Sequence, residues 1–405
     1  MTAPLEGIRV LDWTLYQQGP VSTVLLGDLG AEVIKIEERG IGDQSRHVGG
    51  WAGLPVGLGD GRTFYFETYN YNKKGITLDL KQPGAREVVR RLVERSDVFV
   101  HNIRAEVALR LGMDYETLRG YNPRLIYAQA WGYGPEGGDS HRPTIDPAIA
   151  ARCGIIATLT PPGMPPHYPN MAAVDQIGAT MLSYSILAAL VARERLGIGQ
   201  RVDTSLLGSA MWLQAMHVNT HLLLERDLSK HYRDRAANPT VNFYQCGDGR
   251  WLYLGLLDSQ RYWARFCQAL ELGEVEHDPR FATGTARNQN RRELIVLLDQ
   301  AFARQPLSHW LEVFKAYPEF MYDAVNSVPE ALQDPQLRAN GYIREVPHPT
   351  LGKAQMVGVP FRLEKTPCAT PRPAPALGEH TEEVLQEVCG YSSAEVARLR
   401  EEGVV

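Results

Sequence analysis

The sequence predicts an α/β fold: a doubly wound parallel sheet in the first half, followed by a smaller α+β unit. Three observations carry that prediction. Short apolar runs alternate with helical segments over the first 200 residues. One helix in that alternation has an unbroken apolar face. Past Arg226 the composition turns to a charged connector, and a hairpin pattern follows it.

Taken in order, Ile8 to Trp13 reads as a buried strand, followed by a turn at Gly19-Pro20 and a helix from about Ser22 to Leu29. Gly30 ends that helix, and Glu32 to Ile36 forms the next strand. Two strands joined by one helix make a parallel β-α-β unit. Ile76 to Leu80 is a further strand. Ala85, Val88, Val89, Leu92 and Val93 then recur at helical spacing on a single face. Val98 to Val100 and Leu125 to Ala130 extend the sheet, and such sheets bind ligands at the carboxyl ends of their strands. Helices are expected from about Gln176 to Glu194 and from about Ser205 to Leu224, with Arg226 to Arg235 as a linker. Asn242 to Leu257 reads as a hairpin turning at Gly247-Asp248-Gly249, with helices near Tyr262 to Leu270 and Arg292 to Ala303. Seven prolines between 347 and 375 mark a segment that travels over a surface. Ser392 and Glu395 predict a capping box on a closing helix.

Composition narrows the function. The 405 residues are 44% apolar with a net charge of −5, which gives no reason to expect nucleic acid or an anionic membrane as partner. The five cysteines at 153, 246, 267, 368 and 389 form no Cys-x-x-Cys pair. They read as small core residues rather than a disulfide framework or zinc site. The first residues do not resemble a signal peptide, and no uncharged apolar stretch reaches membrane-spanning length, so a cytoplasmic protein is expected. The first strand is not followed by Gly-x-Gly-x-x-Gly; the nearest run, Gly40-Ile41-Gly42-Asp43, follows the second strand and lacks the third glycine. A Walker loop and a Gly-x-Ser-x-Gly elbow are also missing. His217 and His221 share a helix face without a zinc-protease glutamate, so they read as structural and no metal is expected. Lys35, Arg46, Lys73, Lys74, Lys81, Arg104 and Arg110 lie near element ends. Singly they read as solvated charges; together they offer phosphate contacts.

Asp175 stands in Ala172-Ala173-Val174-Asp175-Gln176-Ile177-Gly178, just ahead of a long apolar helix. It reads as the helix N-cap, where the positive helix end favours the ionised form. An ionised carboxylate beside a substrate is a nucleophile.

Ordered blocks along the chain resemble the class III CoA-transferases, the formyl-CoA transferase and carnitine CoA-transferase group, over essentially the whole length. They are Pro4-Leu5-Glu6-Gly7-Ile8-Arg9-Val10-Leu11-Asp12, Gln18-Gly19-Pro20, and Asp28-Leu29-Gly30-Ala31-Glu32-Val33-Ile34-Lys35-Ile36-Glu37. Asn72-Lys73-Lys74, Thr77-Leu78-Asp79-Leu80-Lys81, Asp97-Val98-Phe99-Val100-His101-Asn102, Arg110-Leu111-Gly112 and Asn122-Pro123-Arg124-Leu125-Ile126-Tyr127 follow. Gly378-Glu379-His380-Thr381-Glu382-Glu383-Val384-Leu385 and Glu402-Gly403-Val404-Val405 close the series.

The resemblance implies a Rossmann-like large domain over 1–200, a connecting helix and linker over 201–235, a small α+β domain over 236–325, and a return segment over 326–405 that completes the large domain. It implies two chains interlocked as a dimer, either identical or paired with a related chain. Asp175 takes the nucleophile's place, with Ile186-Leu187-Ala188-Ala189-Leu190 at the expected distance. It would pass through aspartyl-anhydride and aspartyl-CoA thioester intermediates, with backbone N–H groups near the helix start stabilising the oxyanion. Gln17 and Gln18 would line the thiol end, with Asp146 lining the active site. Leu78, Lys81, Asn102, Ile103, Arg104 and Arg110 would hold CoA, which enters as a substrate and not as a tightly bound cofactor.

Glu38 replaces a basic phosphate contact of formyl-CoA transferases, and Arg39 beside it is expected to substitute. Thr144-Ile145-Asp146 stands where the family often has Gly-Tyr-Asp. Gly255-Leu256-Leu257-Asp258-Ser259-Gln260 lacks the glycine-rich loop of formyl-CoA transferases, and Glu319-Phe320-Met321-Tyr322-Asp323-Ala324-Val325 replaces a small-residue Gly-Pro-Val turn. These departures imply a pocket for a larger dicarboxylic or aryl acid, with succinyl-CoA as expected donor. The α-methylacyl-CoA racemases share the scaffold, but they carry a histidine where Ile145 stands, and proton transfer needs a titratable group there. A non-catalytic partner subunit and a simple CoA-binding protein are further alternatives; the presence of Asp175 speaks against both.

Overall fold

The computed structural model describes residues 2–405. It divides into two compact units: the chain up to Asp227 together with Arg338–Val405, and Leu228–Leu337. In the first unit the elements run β1 (Arg9–Trp13), α1 (Gln18–Asp28), β2 (Glu32–Glu37), α2 (Phe64–Asn70), β3 (Lys73–Thr77), α3 (Ala85–Glu94), β4 (Val98–His101) and α4 (Ala105–Leu111). They continue with β5 (Ile126–Trp131), α5 (Asp146–Arg152), α6 (Ala173–Leu196), β6 (Gln200–Ser205), α7 (Leu206–Leu213) and α8 (Ala215–Leu224).

The six strands form one sheet in the order β6-β5-β4-β1-β2-β3. Every pairing is parallel. Side-chain alternation explains why both faces are covered. Leu11, Ile34, Ile76, Phe99 and Tyr127 face the apolar stripe of α3 and the C-terminal helices. Val10, Val33, Val98 and Ile126 face Leu26 of α1 and Leu182, Ile186 and Leu190 of α6. The strand order reverses between β1 and β4, and the crevice beyond their carboxyl ends is where such sheets take ligands.

Several elements depart from the sequence reading. Gly19-Pro20 is the first turn of α1, not a turn before it. Proline lacks only an N–H that a helix start leaves unpaired anyway. Gly19 is required because a Cβ there would lie 2.5 Å from the Thr14 Cβ. β3 begins three residues before the expected strand because the ammonium of Lys73 is buried against a carboxylate, so a charge opens a core strand. Residues 200–205, read as a helix start and connector, are the sheet's last strand. Ser205 then caps α7 by accepting the Gly208 N–H at 3.0 Å, and the helical stretch breaks at Gln214. The proline-rich return segment contains a hairpin of Ile343–His348 and Gly352–Val357. It then docks along β3, where the His380 N–H meets the Gly75 carbonyl at 2.9 Å, and the Ser392/Glu395 capping box forms.

Among the described residues one helix, α6, is long and apolar enough to cross a membrane by length and composition. The sequence reading passed over it because Asp175 and Arg193 bound its uncharged run; its inner face belongs to the core. The second unit is an antiparallel sheet of Val241–Gln245, Trp251–Gly255 and Tyr322–Ala324. It is packed on an aromatic core that includes Phe266, Phe281, Phe302 and Phe314. Cys246, Cys267 and Cys389 are buried; Cys153 and Cys368 are half-buried, and all five are free.

Candidate active site

The loop from β1 into α1 lies at the sheet's reversal, and side chains from four places hold it. The Thr14 N–H bonds Asp12 at 3.0 Å, and its carbonyl takes the Lys35 ammonium at 2.8 Å. The carboxamide of Asn102, just past β4, accepts the Leu15 N–H at 2.9 Å and donates to the Leu15 carbonyl at 2.8 Å. The Tyr16 N–H reaches Asp43 at 3.2 Å, which supports its left-handed φ of 63°. Beneath the loop lie two ion pairs with fully buried side chains, Lys35–Asp43 at 2.9 Å and Lys73–Asp12 at 2.8 Å. Burial opposes ionisation of Asp12, but Lys73 and Lys35 overcome it and hold the carboxyl below its usual range. Burial pushes Lys73 down to about 8 against the pull of Asp12. Lys35 and Lys73 are therefore structural, not the solvated or phosphate-binding charges their positions implied.

This held loop delivers Gln17 and Gln18, 2% and 5% exposed, at the start of α1. Gln17 Oε1 accepts the Tyr65 hydroxyl of α2 at 3.1 Å, which leaves its NH2 as a donor. Neither Gln17 Nε2 nor Gln18 Nε2 has a hydrogen-bond partner among the described residues. Gln18 crosses α6 over Gly178, where an added Cβ would come within 3.1 Å of Gln18 Nε2. Gly178 is one turn along from Asp175, which brings the Gln18 amide near the carboxyl, and Gln17 is joined to the site through Tyr65, whose phenol feels the Asp175 charge.

Asp175 is not the helix cap. The N-cap position belongs to Ala172, in a left-handed conformation with φ 48° and no capping side chain. Asp175 is the third helical residue, and its N–H donates to Asp146 at 2.8 Å. The second oxygen of Asp146 accepts the Tyr168 hydroxyl. Asp175 is consequently not held ionised by the helix end: burial, and then the charge of Asp146, push its carboxyl up to about 7. The Asp175 N–H at the helix start is taken by Asp146, and the Gln17 and Gln18 amides are further donors without an acceptor among the described residues. Burial and then the Asp175 charge push the Tyr65 and Tyr69 hydroxyls up, which sets both phenols in its field. Tyr65, Tyr69 and Tyr168 escaped the sequence reading; the four-residue spacing of Tyr65 and Tyr69 was the available signal.

The expected nucleotide contacts are looser. Lys81 is 72% exposed and pairs with Glu38 at 2.9 Å. Arg39 Nε donates to the main-chain oxygen of Val405 at 2.9 Å. Arg104 and Arg110 are exposed at the start and end of α4. Ile103 is half-buried beside them. Leu78 is packed in the core, and the carboxamide of Asn102 is spent on Leu15. Arg46 grips Glu37 and Lys74 pairs with Glu32. His221 pairs with Asp227.

A model of CoA-transferase family III matches residues 5–381. The chain is 32% identical over 402 residues to succinyl-CoA:glutarate CoA-transferase of Mus musculus, covering 99% of this chain and 90% of that protein. It is 32% identical over 430 residues to formyl-CoA:oxalate CoA-transferase of Rhodopseudomonas palustris, covering 100% and 97%. A solved CAIB/BAIF family protein from Brucella suis matches with a TM-score of 0.85 at 27% identity, covering 96% and 100%.

Proposed function

The chain belongs to CoA-transferase family III, and from that premise we propose that Asp175 carries CoA from an acyl-CoA donor to a free carboxylic acid. The observation that supports it most is the juxtaposition of the Asp175 carboxyl with two buried, unpartnered amide donors, Gln17 and Gln18. A buried donor without an acceptor costs about 1–3 kcal/mol, a cost offset when a substrate oxygen arrives. Asp175 attacks the thioester carbonyl, and the amides take the charge that develops on its oxygen. The C–S bond breaks, CoA leaves as thiolate, and a mixed anhydride remains. The thiolate then attacks the Asp175 carbonyl and expels the donor acid as carboxylate, leaving an aspartyl-CoA thioester. An acceptor carboxylate attacks that thioester and releases the thiolate, which cleaves the new anhydride at the acceptor carbonyl. Acyl-CoA departs and Asp175 is restored.

Succinyl-CoA as donor and a dicarboxylic acceptor are the substrate reading; the name of the mouse relative supports it. Ile145, apolar and 67% exposed, offers no group for the proton transfer of a racemase. CoA would enter along Ile103, Arg104 and Arg110, displacing Glu38 from Lys81. A dimer, identical or with a related chain, fits α8, which has no buried residue yet carries Met216, Leu222 and Leu223 in the open. A cytoplasmic setting, the 1–200, 201–235, 236–325 and 326–405 division and the Rossmann-like kinship belong to the same reading.

The decisive experiment mixes the protein with succinyl-CoA and a panel of acids and follows new acyl-CoA by mass spectrometry. Hydroxylamine trapping should label Asp175 after acyl-CoA addition. Full transferase activity in Asp175→Ala would sink the mechanism.

A further inference from the structure

The functional reading uses Asp175 and the glutamine amides but leaves Asp146 and Tyr168 without a task. Asp146 is 4% exposed, yet its carboxylate has no basic ion-pair partner within 4.0 Å among the described residues. What it has instead is two helix starts. It is the first residue of α5, and it accepts a first-turn N–H of α6. The positive end of the 24-residue α6 favours an anion there. α6 needs that acceptor because its own N-cap is Ala172, which has no side-chain oxygen. The approach to α6 is also strained, with Ala172 in the left-handed region that disfavours a side chain and Asn170 in the same region two residues earlier. The Tyr168 hydroxyl, from the segment before α6, occupies the remaining Asp146 oxygen and stops the carboxylate from turning away.

We propose that Asp146 and Tyr168 are a positioning pair for the nucleophile: Tyr168 locks the Asp146 carboxylate across the start of α6, where it fixes Asp175 in place and sets a second negative charge against it. The proposal rests on the functional reading above. The groups facing Asp175 are neutral from the other elements: the amide of Gln18 from α1, phenols of Tyr65 and Tyr69 from α2, and the Tyr168 phenol. The charge that bears on Asp175 is that of Asp146. Asn at 146 keeps one oxygen for the Asp175 N–H and an NH2 that Tyr168 can accept, so Asp146→Asn removes the charge and spares the clamp.

The test titrates the Asp175 carboxyl in the substrate-free, full-length protein by infrared difference spectroscopy, with Asp175→Asn as the blank. In Asp146→Asn the midpoint should fall by about one unit or more, raising the ionised fraction at pH 6 about fivefold. Asp146→Glu, which keeps the charge, should hold the midpoint high. Tyr168→Phe should lower kcat at least about tenfold while leaving KM for acyl-CoA within about twofold, the pattern of lost positioning rather than lost binding. A folded Asp146→Asn protein with an unmoved midpoint overturns the proposal. So does a Tyr168→Phe protein with native kcat, which remains decisive if Asp146→Asn fails to fold. The titration needs no CoA chemistry. A shifted midpoint without CoA transfer therefore refutes the proposed function alone, and transfer with an unmoved midpoint refutes the positioning pair alone.

Discussion

The two ends of the candidate CoA path are built in opposite ways. At the acyl end, Thr14, Leu15 and Tyr16 are each held by a side chain from elsewhere in the fold, over two ion pairs with no solvent exposure. At the nucleotide end, Lys81, Arg104 and Arg110 stand in solvent, and Lys81 is neutralised by a glutamate. The proposed function accounts for the contrast. Stabilising a charge that exists only in passing requires donors already in place, because reorganising them would raise the barrier. Gripping a phosphate requires only that a long cation reach it, and mobile lysine and arginine chains do that at little structural cost. The acyl end therefore concentrates strain, buried charge and unpaired donors, whereas the nucleotide end does not.

The largest effect that probes this contrast should come from Lys35→Met. Breaking a buried pair by removing one partner costs about 3–5 kcal/mol, measurable by urea denaturation, and Asp43 and Thr14 would both lose the ammonium. A loss under about 1 kcal/mol would show that the loop is held by something else. Next in size, Gln17→Ala should lower kcat roughly 10²–10³-fold, as expected of an oxyanion donor, with little change in KM for acyl-CoA. An equal rise in KM would recast Gln17 as a binding residue.

A graded effect should appear in Asp175→Asn. The folded carboxyl titrates near 7, above its unfolded value of 3.8, so the folded state holds the proton more tightly. Stability should therefore fall as pH rises from about 4 to about 7. The variant should melt higher than the native protein above pH 7 and match it below pH 4; a constant difference across pH would contradict the raised value. The smallest effects belong to the nucleotide end. Lys81→Ala should raise KM for acyl-CoA only a few-fold and Glu38→Ala should lower it, because solvent screens an exposed pair.

What the sequence made legible follows the same divide. The α3 stripe, the first five parallel strands and the Val241–Gln245 hairpin rest on local periodicity, and each was readable within a few residues. The resemblance named Asp175, Gln17, Gln18 and Asp146 together, but not the contacts among them. Lys35 inside Val33-Ile34-Lys35-Ile36 looked like a surface charge because its partner Asp43 and the Thr14 carbonyl are brought to it by the fold. Lys73 and Asp12 are 61 residues apart, a separation no local pattern registers. Asp175 read as a cap because caps are commonly recognised by residue type, whereas this helix borrows its acceptor from Asp146, 29 residues earlier. The ionisation of Asp175 was consequently misjudged in sign. Tyr65 and Tyr69 were overlooked because aromatic residues in a short helix normally announce a core, and Tyr168 because it stands in an irregular segment.

The Asn102 bridge to Leu15 carries one more consequence, in time rather than in space. Loop amides ordinarily exchange with solvent through small local openings, and strand amides only through large ones. The Leu15 amide belongs to a loop, but the Asn102 carboxamide that accepts it is also fastened to the Leu15 carbonyl, at the ends of the central strands β1 and β4. Its proton should therefore persist in deuterated water about as long as those of the strands it joins, so that a segment without regular structure keeps the clock of the core.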